Sequence, residues 1–218
     1  MSNPNIINQR SAGLCGPVGF LYSLAFDSPA AYAKYGIDLY EKGKAMIWRL
    51  DIEPSKDCRD YFPPPPMCPG DWLTAGSLRD SENFFFDYDS VKADGGTSND
   101  ELAHFFEDAG YTDIHKDDNT FTSRNAQDID LINKYYNDGY RVILRINAKL
   151  LDKDSQADTS HRGNHFVILR SPIIVSGQKV GLTVYTWGRR QDIPAPGTQL
   201  SPSQFLEHWY GYIAGRPF

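Results

Sequence analysis

Apolar positions change rhythm along this chain. Up to about residue 137 they recur at helical spacing, and beyond Tyr140 they gather into short runs bounded by turn residues. The apolar run at 18–25 predicts a helix from Cys15 to about Phe26, with Pro17 tolerated in its first turn. A second helix starts with Ser28 as N-cap and Pro29 at its first position. It carries Ala30, Ala33, Ile37 and Tyr40 as its apolar positions and has Gly43 near its end. Residues 45–48 are apolar but too few to assign to a helix or a strand. Residues 51–71 hold Pro54, four consecutive prolines at 63–66 and Cys68-Pro69-Gly70, which excludes a regular helix or a central strand. That stretch predicts a rigid loop or small insertion, or else one wall of a cleft. Residues 71–81 read as a helix and 84–86, three phenylalanines, as core. After the turn Gly95-Gly96-Thr97, Ser98 and Glu101 form a capping box. The helix they open presents Leu102, Phe105, Phe106 and Ala109 on one face and ends at Gly110. Residues 111–115 start a strand, and a helix over about 126–137 turns Ile129, Ile132 and Tyr136 inward.

The last third predicts strands at 140–147, 164–170 and 180–188. A polar, mobile loop at 148–163 separates the first two. Ser201-Pro202-Ser203-Gln204 opens a short helix over about 202–209, and 211–214 form a closing strand. The pattern is α+β in a single domain, 1–218. A helical part (about 1–137) packs on an antiparallel sheet part (about 138–218), with the proline-rich insertion at about 51–71.

Composition narrows the function classes. The net charge of −6 argues against a nucleic-acid surface, and no apolar run approaches the roughly 18 residues of a membrane span. Three cysteines (Cys15, Cys58 and Cys68) leave at least one unpaired, so the chain is not a disulfide framework. Neither cysteines nor histidines fall at zinc-ligand spacing, and no metal or cofactor is expected. His104 and His115 carry no partner pattern and read as surface or packing residues. Residues 1–5 lack the basic region and apolar core of a secretory signal. The expected location is therefore cytoplasmic, or a target cell reached by a signal-independent route.

Against that background one cysteine stands out. Cys15 sits between a glycine-bearing loop and a helix start, where the helix dipole favours a thiolate. Gln9, six positions earlier, supplies a side-chain amide able to donate to an oxyanion. A buried cysteine that merely packs a helix start is the alternative. A base is available in His165, at the head of the second strand.

Gln9 and Cys15-Gly16-Pro17, then Asn164-His165-Phe166-Val167, then Tyr185-Thr186-Trp187-Gly188, in that order, resemble the papain-like cysteine peptidases. The resemblance implies a papain-like fold with the active site between its helical and sheet parts. It also implies Cys15 as nucleophile, attacking as a thiolate paired with the His165 imidazolium, which then protonates the leaving amine, and Gln9 with the Cys15 amide as oxyanion hole. Trp187 would shield the histidine, or else serve as a plain core aromatic. Gly13, Gly16, Asn164 and Trp187 would line the substrate. The family's histidine-orienting Asn is replaced here, because Tyr185 or Thr186 stands in its place. Thr186, a backbone carbonyl, Asn147 or Asp192 are the candidates to receive the imidazole N–H.

The short chain looks most like bacterial members, namely the peptidase domains of ABC exporters and toxin domains delivered by contact-dependent, type VI-like secretion. The implied partners are a protein or peptide substrate and an immunity protein. A Cys-dependent amidase acting on peptidoglycan, a protein-glutamine deamidase, and a binding module on a decayed peptidase fold are the competing readings.

Overall fold

The computed structural model describes residues 4–10, 12–82, 88–91, 96–118, 124–151 and 163–218. The expected core at 84–86, Gly95 of the expected turn and most of the expected loop at 148–163 fall outside the described residues. The architecture is mixed α+β, with helices concentrated in the N-terminal part and an antiparallel sheet in the C-terminal part. No described helix is long and apolar enough to cross a membrane.

Helix α1 (Cys15–Asp27) is apolar all round, and its residues from Gly16 to Ala25 are all buried. It lies close on the sheet at Gly19, where a Cβ would come within 3.0 Å of Ile143 Cδ1. On its other sides it meets α2 (Pro29–Lys42) and α6 (Asn99–Asp108). Phe20 packs edge-on against Phe106 at 5.5 Å and tilted against Phe105 at 5.8 Å. Tyr22 stacks on Tyr185 at 4.0 Å. The C-terminal Asp27 sits at the unfavourable end of the helix dipole, and it is held there by Arg141 Nε at 2.9 Å and the Tyr111 hydroxyl at 2.8 Å.

The second helix ends at Gly43 in the left-handed region, φ 71°, as its glycine predicts. Its buried face is not the expected one. Tyr32, Tyr35 and Leu39 point inward, while Ile37 is 54% and Tyr40 82% exposed. Two apolar stripes compete on this helix, and packing against α1 selects the one with the larger aromatic pair. The α6 capping box forms as read: the Glu101 amide donates to Ser98 Oγ at 3.1 Å, and the Ser98 amide to the Glu101 carboxylate at 2.6 Å.

Residues 45–52 form a hairpin, β1 (Ala45–Ile47) with β2 (Leu50–Ile52). The proline-rich stretch contains a short helix α3 (Lys56–Asp60). It leads into α4 (Pro69–Asp71), which continues through a π-helical turn, Trp72–Gly76, into α5 (Ser77–Ser81).

The main sheet runs β3 (Thr112–Asp118), β9 (Trp209–Arg216), β4 (Arg141–Ile146), β5 (His165–Leu169), β7 (Lys179–Thr186) and β6 (Ile174–Ser176). β8 (Arg189–Ile193) pairs along β7. Alternation assigns its two faces. Ile143, Phe166, Ile168, Tyr185 and Ile213 join the α1 core. Leu144, Val167, Val184 and Ala214 face a second core with Ile129 and Ile132 of α7 (Ala126–Asn137) and Phe205 of α8 (Pro202–Glu207). Strands β6 and β8 carry no apolar alternation, and neither is expected from the sequence.

Truncating Phe20 to Ala removes a fully buried ring from the junction of α1 and α6. It should lower the unfolding free energy by roughly 3–5 kcal/mol with an unchanged denaturant slope, read from urea melts.

Candidate active site

The approach to α1 is built to leave amides at the sulfur. Ile7, Ala12 and Leu14 are buried, and the Ala12 amide closes a turn on the Gln9 carbonyl at 3.0 Å. The residue before the helix is Leu14, which provides no side-chain cap, so the first-turn N–H groups stay available. The amides of Cys15 and Gly16 act on the thiol, and so does the Phe166 amide from β5. Gly16 permits this fit: a Cβ there would lie 2.5 Å from the Thr97 Cβ. Gly16 is thus packed against Thr97, whereas Gly13 lies exposed on the loop.

The His165 side is built by a hairpin. Thr186 ends β7, Arg189 begins β8, and Trp187 (φ 46°) and Gly188 (φ 74°) form the two-residue connection. Two positive φ values mark a type I′ turn, whose twist matches the strands. A tryptophan in this region carries strain of roughly 1–3 kcal/mol and persists only where its surroundings fix it. Here the ring is stacked on His165 at 4.8 Å with 25° between planes. The His165 Nε2 lies 2.6 Å from Thr186 Oγ1, a diagonal cross-strand contact.

Of the candidate orienters, Thr186 meets the ring. The Tyr185 hydroxyl points to the opposite face and donates to the Ile7 carbonyl at 2.6 Å. Asp192 accepts from Thr183 Oγ1 at 2.8 Å, and Asn147 Oδ1 accepts from the Lys149 amide at 3.0 Å.

The structure brings the thiol to the start of β5, at the amide one residue past the histidine. No hydrogen bond joins sulfur to ring among the described residues. Gln9 is buried, and its Nε2 donates to the Ala12 carbonyl at 3.2 Å, within its own turn. Asn164 is exposed, and its Oδ1 accepts from the Ala148 amide at 2.8 Å, which ties the strand to the Ala148–Leu151 turn.

Burial governs the charge state of the pair. It pushes the Cys15 thiol up, against the smaller opposing pull of the three amides and Arg145. The helix dipole contributes at most about 2 kcal/mol, whereas burial shifts a group by up to several pKa units. The thiolate expected from the helix start alone is therefore not the resting form. Burial also holds the His165 imidazole down, to about 4. The thiol and the imidazole therefore both rest neutral.

Two residues absent from the sequence reading belong to this site. Asn8 Nδ2 donates to the Trp187 carbonyl at 2.9 Å, across 179 positions of sequence. Asp71 stands behind it, where its carboxylate accepts from the Asn8 amide close to Arg10. The Arg10 amide donates to Asn8 Oδ1 at 2.8 Å, a local turn typical of asparagine and the one feature legible in sequence. Among the described residues no three His, Cys, Asp or Glu side chains come together as a metal-binding group. No model of a known protein family matches the chain, and no curated protein matches it.

The low imidazole value has a consequence for stability. Between about pH 4 and 6.5 the unfolded chain binds a proton at His165 that the folded chain refuses. This contribution is fully present above pH 6.5 and is lost as pH falls through 4. Wild type should therefore lose roughly 2–3 kcal/mol relative to His165→Gln between pH 7 and 4. Asp71, pushed up to about 6 by burial, acts in the opposite sense but cancels in the difference. Paired urea melts at several pH values measure the gap, and a constant gap contradicts the assignment.

Proposed function

We propose that the chain is a papain-like cysteine hydrolase that cleaves peptide bonds at Cys15, with His165 as base. One observation carries the reading. Cys15, at the start of α1, meets the Phe166 amide at the head of the strand that begins with His165, and that histidine is bound by Thr186 and covered by Trp187. The ordered motifs Gln9…Cys15-Gly16-Pro17, Asn164-His165 and Thr186-Trp187-Gly188 support the same reading.

The chemistry follows from the neutral pair. With Thr186 Oγ1 accepting from Nε2–H, the imidazole presents Nδ1 as base. Sulfur attacks the carbonyl carbon as its proton passes to Nδ1, and the carbonyl π pair moves onto oxygen. The Cys15 amide and the second N–H of Gln9 Nε2 receive that oxyanion. Collapse expels the amine, which takes the proton from His165. Water, deprotonated by the same nitrogen, then hydrolyses the thioester. A general base fits this site better than a preformed ion pair, because burial opposes charge on both groups.

The likeness to bacterial toxin domains extends the proposal to an effector that acts inside a target cell and is blocked by an immunity protein at this cleft. Expression of wild type, but not Cys15→Ala, should then arrest bacterial growth.

The test of the chemistry uses fluorescein-labelled casein. Cys15→Ala should abolish cleavage with the fold intact. Thr186→Val should lower kcat roughly 10- to 100-fold, because the imidazole loses the hydroxyl that meets its Nε2. Full activity of Cys15→Ala overturns the proposal, and ammonia release without chain cleavage moves it to a deamidase.

A further inference from the structure

The two halves of the site are far apart in sequence, and a single carboxamide joins them. Asn8 is 6% exposed. Its Nδ2 holds the Trp187 carbonyl at 2.9 Å, and its Oδ1 takes the Arg10 amide at 2.8 Å. The fit is tight on the far side, where a Cβ on Gly188 would lie 2.3 Å from Nδ2. Gly188 therefore serves two needs, the positive φ of the turn and the approach of Asn8. One end of the Asn8 side chain thus sets the turn that carries Gln9, and the other sets the peptide that carries the ring over His165.

We propose that Asn8 is a positioning residue of the hydrolytic site, whose carboxamide locks the Gln9 loop and the Trp187 turn into one unit across the nucleophile and the base. The inference rests on the hydrolase reading for its effect on rate, and on geometry alone for its effect on His165.

The alternative is that Thr186 and the hairpin place the histidine without help. The positive φ at Trp187 argues against it. A type I′ turn is formed far more readily by Asn-Gly or Gly-Gly, so a tryptophan there needs holding from outside the hairpin. Asn8 supplies that hold through the Trp187 carbonyl, and the stack supplies it through the ring. Asp71 supports the clamp from behind, on the Asn8 backbone amide, with Arg10, Tyr32 and Tyr185 as the other titratable groups facing it.

Two variants of the full chain separate the outcomes. Asn8→Ala removes both bonds. Asn8→Asp keeps the acceptor for Arg10 but loses the donor to Trp187, and so isolates the cross-chain bond if Asn8→Ala fails to fold. The first readout is the His165 Hε1 resonance, which the stacked indole shifts upfield by its ring current, with Trp187→Phe as the reference for a lost stack. The second is kcat and KM on fluorescein-labelled casein. Both Asn8 variants should move the resonance toward its Trp187→Phe position. Both should lower kcat roughly 10- to 100-fold, with KM changed much less, as expected when reacting groups are misplaced by about 1 Å. An unmoved resonance, or a kcat within twofold of wild type, overturns the inference. If wild type shows no Cys15-dependent cleavage, the hydrolase reading fails, and the resonance still decides whether Asn8 places the ring.

Discussion

Everything at this site depends on the complete burial of one helix. With Gly16 to Ala25 all inside, α1 has no solvent face on which to slide or roll. The sheet fixes it through Gly19 and Ile143, and the phenylalanines of α6 fix it through Phe20. A close-packed helix of this kind transmits displacement rather than absorbing it. Its first residue is Cys15, so the sulfur inherits the rigidity of the core. A loop-borne thiol would have to be held by its own hydrogen bonds; this one is held by hydrophobic burial some distance away.

The same burial sets the chemistry. A dry site strengthens every aligned dipole, and it makes charge costly until a partner charge appears. The thiol and the imidazole are consequently neutral at rest, and the donors around the sulfur are backbone amides at a helix start that Leu14 leaves without a side-chain cap. Trp187 serves the same end on the other side, since its indole covers an imidazole already short of water. The stability of α1 and the charge state of His165 draw here on one property, the exclusion of solvent, while Cys15 at the helix start stays half-buried.

The α+β division was legible because it rests on local rules. The capping box at Ser98, the glycine stop at Gly43 and the alternation in β5 each act within a few residues. Cys15, His165 and Thr186 were also visible, as residue types in a recognisable order. Three features were not. The buried face of α2 went to Tyr32, Tyr35 and Leu39 because a neighbouring helix chose between two stripes of similar strength. Strand β8 is polar at most positions and exists because the turn at Trp187-Gly188 folds it back on β7. Asn8 looks like any asparagine in a loop until its partner, 179 positions away, is in place. Each miss is a case of long-range geometry deciding what local pattern leaves open.

The place of β9 inside the sheet, between β3 and β4, also governs when the sheet can close. This strand, Trp209–Arg216, lies between β3 and β4, so β4 lacks one neighbour until residues 209–216 have been made. Cys15 leaves the ribosome long before that, and His165 follows it by 150 positions, on the order of ten seconds of synthesis. Throughout that interval Cys15 exists without His165, and β3 and β4 without the strand that joins them. Most stabilising contacts close late and over long sequence separations, which makes folding slow and all-or-none. The pairing of Cys15 with His165 is therefore a product of the assembled sheet and of no local segment of the chain.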